Sequence, residues 1–183
     1  MKTPIDPPHI ISALARSAIT HVLTEEGGYV DDPVDRGGKT RFGISQKAYP
    51  KLDIANLTIE QAEQIYYRDY WLSIRGDRLP HAVAFLVFDA AVNMGVGMAA
   101  KSLQRAASVN ADGIIGSRTL GMVSTLPVAY LCKVFTDLRI KHYCEIVEAS
   151  PSQSRFICGW VNRAFRVRDQ SMKLLSSDEK EWS

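Results

Sequence analysis

The sequence predicts a mainly α protein with one small, irregular β region. Three observations carry that expectation. Apolar residues recur at helical spacing through most of the chain. Proline and glycine fall at the ends of those runs, where helices start and stop. One stretch, EEGGYVDDPVDRGGKTRFGIS over residues 25–45, breaks the pattern with five acidic residues, three basic ones and five glycines. It is too rich in glycine for a helix interior and too charged for a buried strand.

The elements follow in order. Pro7 and Pro8 suit the first turn of a helix, where a missing N–H costs nothing. From Ile10 the apolar positions Ile11, Leu14, Ala15, Ala18, Ile19, Val22 and Leu23 mark one buried face, and Gly27-Gly28 stops the helix after Glu26. Residues 27–45 read as turns and a short hairpin built around Gly37-Gly38. Thr58-Ile59-Glu60-Gln61 is a capping-box pattern, opening a helix that runs to Tyr70 or Trp71. Pro80 precedes the apolar helix HAVAFLVFDAAVNMG, which ends at Gly95. VGMAAKSLQRAA, from Val96, is a further, amphipathic helix, and VNADGIIG from Val109 to Gly116 is a loop. Ser117 caps a short helix to Val123. Pro127 begins a long helix to about Glu148, Ser150-Pro151-Ser152 breaks it, and a last helix runs to about Leu175 before a polar, frayed tail.

Composition limits what such a chain does. It has 183 residues, 46% of them hydrophobic and 23% charged, enough for a real core and too apolar for disorder. A net charge of +2 is far from a nucleic-acid footprint, so no nucleic-acid partner is expected. Cys132, Cys144 and Cys158 form no CxxC pair, and the four histidines are scattered; no metal and no organic cofactor is expected. Asp6, two prolines, His9 and Arg16 interrupt the N-terminal region, so it does not read as a signal peptide. No apolar run is long enough to span a bilayer, and membrane insertion is not expected.

The charged stretch has the ingredients for cutting a glycosidic bond. That reaction needs one protonated carboxyl group to donate to the leaving oxygen and one ionised carboxylate to activate water or steady positive charge on the sugar. Environment separates the two. Glu26 falls at a helix C-terminus, where the macrodipole disfavours an anion, and beside Tyr29; it is the candidate acid. Asp35 is flanked by Arg36, with Lys39 and Arg41 close by, and is the candidate ionised partner. Asp32 is a second candidate for that role, although Asp31 and Asp32 before Pro33 also suit a turn. Thr40 has the hydroxyl to hold a water against Asp35, and the glycines let a sugar chain approach the backbone.

Glu26, Asp35 nine positions on and Thr40 five further on are similar to the Glu-Asp-Thr set of phage-type lysozymes, departing by one residue between Asp and Thr. The wording E-G-G-Y-V-D-D-P-V-D-R-G-G-K-T-R-F-G-I, Glu26 to Ile44, closely resembles the opening motif of glycoside hydrolase family 108, muramidases of phage endolysins with bacterial relatives that include enzymes used in toxin export. Tyr70-Trp71 resembles that family's Y-W after its second helix. FDAAVNMGVGMAAKSLQRA and ADGIIGSRTL look like its companion peptidoglycan-binding segment, with Met94 where relatives have His or Tyr. The resemblance runs from about Ile19 to Arg168.

The resemblance implies a lysozyme-like, two-lobed helical domain with a small β hairpin near its active site. A catalytic lobe over residues 10–80 and a peptidoglycan-binding lobe over 81–175 would flank a groove. It implies cleavage of the N-acetylmuramic acid to N-acetylglucosamine bond by a monomer acting on glycan strands, with Glu26 as catalytic acid; the similarity to phage-type lysozymes favours an inverting course, which the carboxylate separation would decide. The expected setting is synthesis in the cytoplasm without a leader and action on the wall after release by another system. Tyr29, Asp32, Tyr70, Trp71, Asn93 and Gln104 are the candidate substrate contacts. For Tyr29, stacking on sugar and packing on the helix fit equally, and Asn93 fits an N-acetyl contact or a helix cap. Arg155, Arg163, Arg166, Arg168 and Lys173 make the C-terminal helix basic, either as a solvated face or as attraction to an anionic wall. A lytic transglycosylase, which uses one Glu and expels an anhydro end without water, and a non-catalytic wall-binding module are the rival readings.

Overall fold

The computed structural model describes residues 9–26 and 39–178. Among these, seven α-helices dominate and two two-residue strands supply the only sheet. The chain forms two compact units, residues 1–72 and 73–183.

The first unit opens with α1 (Ala13–Glu26). This helix starts later than the apolar periodicity from Ile10 suggests, because the Ser12 hydroxyl accepts the Ala15 N–H at 3.2 Å and so caps it. Pro7 and Pro8 lie outside the described residues. Ala15, Ala18, Ile19 and Val22 form the buried face, as the spacing predicts. Arg16 on the exposed side reaches Glu63 of α2 (Ile59–Tyr66) at 2.9 Å. The capping box of α2 is complete: Thr58 accepts from the Gln61 N–H, and Gln61 accepts from the Thr58 N–H at 3.0 Å.

The helix then changes character. Tyr67–Trp71 is a π-helical turn, closed by the Leu72 N–H on the Tyr67 carbonyl at 2.9 Å. Such turns rotate the following side chains out of α register and occur often at functional sites. Here the turn carries Asp69 to the hydroxyl of the buried Tyr49, while Arg68 grips the same carboxylate through Nε at 2.6 Å and Nη2 at 2.9 Å.

The second unit begins before the boundary placed after residue 80, because the 3-10 turn Gly76–Arg78 packs on α3 (His81–Met94). Helix α3 is buried from Ala82 to Ala91, which is why its sequence is apolar on every side. Gly95, at φ 88° and ψ 147°, joins it directly to α4 (Val96–Ala106) in a conformation open essentially to glycine alone. After α5 (Ser117–Val123), the two long helices α6 (Val128–Ala149) and α7 (Ile157–Asp178) pack on each other and on α3. Gly116, rather than Ser117, takes the cap position of α5. A 3-10 turn, Pro151–Phe156, separates α6 from α7 at the predicted break. No single helix among the described residues is long and apolar enough to cross a membrane.

Candidate active site

Two described pieces frame the charged stretch. Glu26 is the last described residue of α1, and Gly27-Gly28 lie outside the described residues. Past the stretch, β1 (Thr40–Arg41) pairs antiparallel with β2 (Ile44–Ser45), with Thr40 opposite Ser45 and Arg41 opposite Ile44. Tyr29, Asp32, Asp35 and the pair Gly37-Gly38 lie between, outside the described residues.

The described hairpin turns at Phe42-Gly43. Both turn residues have positive φ, 53° for Phe42 and 71° for Gly43. A two-residue hairpin loop of this kind needs both in the left-handed region so that its twist matches the strands. Gly43 takes that conformation freely. Phe42 does so at a cost of about 1–2 kcal/mol, and its surroundings hold it there. Tyr66 of α2 donates its hydroxyl to the Phe42 carbonyl at 2.8 Å. The Arg41 guanidinium lies 5.3 Å from the Phe42 ring centre and donates to the Ala55 carbonyl. Beyond the strands, the Gln46 N–H donates to the Lys39 carbonyl at 2.8 Å, extending the ladder. The Gln46 amide donates to the carbonyls of Tyr49, Pro50 and Leu52. Thr40 thus stands on a short hairpin tied to α2 and to the following loop. The sequence does not show these ties, since they join residues far apart in the chain.

The aromatic candidates separate. Trp71 is 0% exposed and belongs to the core of the first unit, so it offers no face to a sugar. Tyr70 is half-buried beside Tyr66, ring centres 5.6 Å apart. The Tyr49–Asp69–Arg68 cluster was not anticipated; an adjacent Arg-Asp pair ending an aromatic helix was its only signal. Burial, and then the Asp69 carboxylate, push the Tyr49 hydroxyl well above its ordinary range, while the hydrogen bond to Asp69 raises Arg68. Both groups keep their protons, so this cluster fastens the π turn.

Gln104 is corrected outright. It is 1% exposed, and its amide is consumed inside the second unit. Its Nε2 donates to Asp112 at 2.7 Å, to the Ile114 carbonyl at 3.0 Å and to Thr119 at 3.3 Å, while Oε1 accepts the Gly113 N–H at 2.8 Å. It braces the DGIIG loop from within. A glutamine so enclosed does not reach a glycan. Asp112 is held below the usual carboxylate range by the hydrogen bond from Gln104 and by the Ile114 N–H.

Asn93, by contrast, is exposed near the end of α3, where its Oδ1 accepts from the Tyr143 hydroxyl at 2.7 Å. The helix cap is Gly95, whose N–H meets the Ala91 carbonyl, so capping is not the role of Asn93. Behind it lies a buried ionic cluster. Asp89, 1% exposed, sits 2.7 Å from Arg139 of α6 and 2.9 Å from Arg163 of α7. Arg163 thereby leaves the basic outer face proposed for the C-terminal helix. Arg155 leaves it too: it lies in the 3-10 turn, 4.7 Å from the Phe156 ring centre. One signal did exist for this cluster. Asp89 is the single acidic residue in an otherwise apolar helix, and a charge buried there requires a partner.

Among the described residues, no group of three His, Cys, Asp or Glu side chains is placed to hold a metal ion.

Comparison with known proteins agrees along most of the chain. The family "Glycosyl hydrolase 108" matches residues 19–95, and the family "Predicted Peptidoglycan domain" matches residues 98–165. Among solved structures the chain is similar to Brucella abortus SagA, with a TM-score of 0.76 and 33% identity over 87% of this chain and 94% of that one. No curated protein matches it.

Proposed function

This chain belongs to the glycosyl hydrolase 108 family and is a glycoside hydrolase acting on peptidoglycan, and we propose that it is an N-acetylmuramidase working through Glu26. The observation that carries this reading is the order of parts within the matched segment. Helix α1 ends on Glu26, the E-G-G-Y stretch follows, and a braced hairpin presents Thr40.

The chemistry follows from the parts. The C-terminus of a helix disfavours a negative charge, which suits Glu26 as the donor of a proton to the glycosidic oxygen. Asp35, with Asp32 as the second candidate, assists the attacking water or stabilises the oxocarbenium-like transition state. The Thr40 hydroxyl orients that water. A water-using, inverting course distinguishes this enzyme from a lytic transglycosylase, whose sugar closes on itself. Tyr29 and Tyr70 line the glycan path. The action is on the cell wall, and the protein works as a monomer.

Two settings fit such an enzyme: phage lysis through a holin pore, and opening of the wall for bacterial protein or toxin secretion. A neighbouring holin gene or a toxin operon distinguishes them.

The test is Glu26→Gln, which keeps the shape and removes the acid. Release of soluble fragments from purified peptidoglycan should fall about 10³-fold, in the range for loss of a general acid, with the thermal midpoint unchanged. Release at the wild-type rate would remove Glu26 from the mechanism.

A further inference from the structure

We infer that Asn93 is an amide donor of fixed orientation, set by Arg139 acting through Tyr143, and that it binds an amide carbonyl oxygen of peptidoglycan. This rests on the peptidoglycan-hydrolase reading and adds a contact in the second unit.

The orientation follows from hydrogen-bond inventory. Arg139 is 0% exposed, and its guanidinium has donors but no acceptor. Its Nε–H points at the Tyr143 hydroxyl at 2.6 Å, so the tyrosine oxygen must accept there. A phenol has one proton, and the remaining neighbour is Asn93 Oδ1 at 2.7 Å. The proton therefore goes to Asn93, and the amide is held with Oδ1 inward and Nδ2 outward. An isolated asparagine chooses between two flips; this one does not. Asn93 is exposed, and its Nδ2 makes no hydrogen bond to any described residue.

The relay is anchored at both ends. Asp89 holds Arg139 and is itself held by Arg163, through Nε at 3.0 Å and Nη2 at 2.9 Å. The Trp160 ring lies 5.4 Å from that of Tyr143 and covers it. Burial raises the Tyr143 pKa, so the hydroxyl stays protonated and the relay keeps its direction. Helices α3, α6 and α7 thus cooperate to aim two N–H donors outward. An outward amide donor suits a carbonyl oxygen. Peptidoglycan offers two sources of that chemistry, the acetamido group of its sugars and the amides of its stem peptides.

Asn93→Asp separates donor from acceptor. The carboxylate still accepts from Tyr143 but has no N–H to offer. With the full chain and soluble glycan strands, KM should rise about 10-fold, kcat should stay within about 2-fold, and the thermal midpoint should hold. Tyr143→Phe frees the amide to turn; KM should rise about 3-fold, again with kcat retained. A purely structural asparagine would alter the melting point and leave KM alone. Parallel assays on strands stripped of peptide identify the source: a KM effect on both substrates places the carbonyl in the acetamido group, and an effect on peptide-bearing strands alone places it in the stem. A wild type that cleaves while Asn93→Asp matches its KM would overturn this inference and leave the hydrolase reading standing. A wild type that cleaves neither substrate would overturn both.

Discussion

Two acid–arginine clusters among the described residues are built on opposite plans. In the first unit Arg68 and Asp69 are chain neighbours, half-buried, and joined by Tyr49 from a nearby loop. In the second unit Asp89, Arg139 and Arg163 come from three helices, with Arg163 74 positions after Asp89, and Arg139 is fully buried. The first cluster fastens a turn beside a hairpin. The second fastens helices to one another. The difference assigns the units different work. Polar groups near the hairpin hold local shape, whereas those in the helical unit join three helices and end at a surface amide.

The comparison breaks most readily at Asp89. Asp89→Ala would leave two arginines, one of them fully buried, without their anion. Loss of one partner from a buried pair costs about 3–5 kcal/mol, and in a chain of this size the thermal midpoint should drop by roughly 10 °C. A drop of only a degree or two would mean that the cluster is not the fastening described. Next in size is Gln104→Leu, which removes the bonds inside the DGIIG loop and strands the Gly113 N–H. About 2 kcal/mol of stability should be lost, with KM for glycan unchanged. A raised KM with normal stability would instead restore Gln104 to the substrate contacts.

The smallest effect sharpens the comparison from the first unit. Tyr49→Phe removes one hydroxyl while Arg68 still holds Asp69, and should cost about 1 kcal/mol near neutral pH. The Tyr49 pKa is raised above its ordinary 10.0 by burial and by Asp69, so the folded state keeps the proton longer than the unfolded state. Its contribution is complete below pH 10.0 and is lost as pH rises above that value, where the unfolded chain gains by ionising. Urea unfolding at about pH 8 and about pH 10.5 should show the wild-type advantage over Tyr49→Phe narrowing. A constant gap would contradict the buried, protonated Tyr49.

These contrasts also explain what was legible in the sequence. Helices were readable because their faces and ends are local: the Thr58–Gln61 capping box and the break at Pro151 both appear in the fold. The described turn at Phe42-Gly43 gave little signal in the sequence, since Phe42 occupies a left-handed position that a bulky residue rarely takes. The proposed role of Glu26 was suggested by an unusual run of glycine and charge, most of which lies outside the described residues. Gln104 and Trp71 misled for another reason. Polar and aromatic residues in a family-like motif look like contacts, and only burial shows that they serve the interior. The relay from Asp89 to Asn93 was hidden because it leaves α3 at Asp89, runs along α6 from Arg139 to Tyr143 and returns to α3 at Asn93, so two of its three links join residues 50 positions apart in the chain.

The central claim is hydrolysis by water at the bond after N-acetylmuramic acid, with Glu26 as the acid. Mass spectrometry of the ends released from purified peptidoglycan tests it most directly. The account predicts new reducing N-acetylmuramic acid ends with wild type and none with Glu26→Gln. Ends carrying 1,6-anhydro-N-acetylmuramic acid would contradict it, since they form without water and leave no task for Asp35 or Thr40.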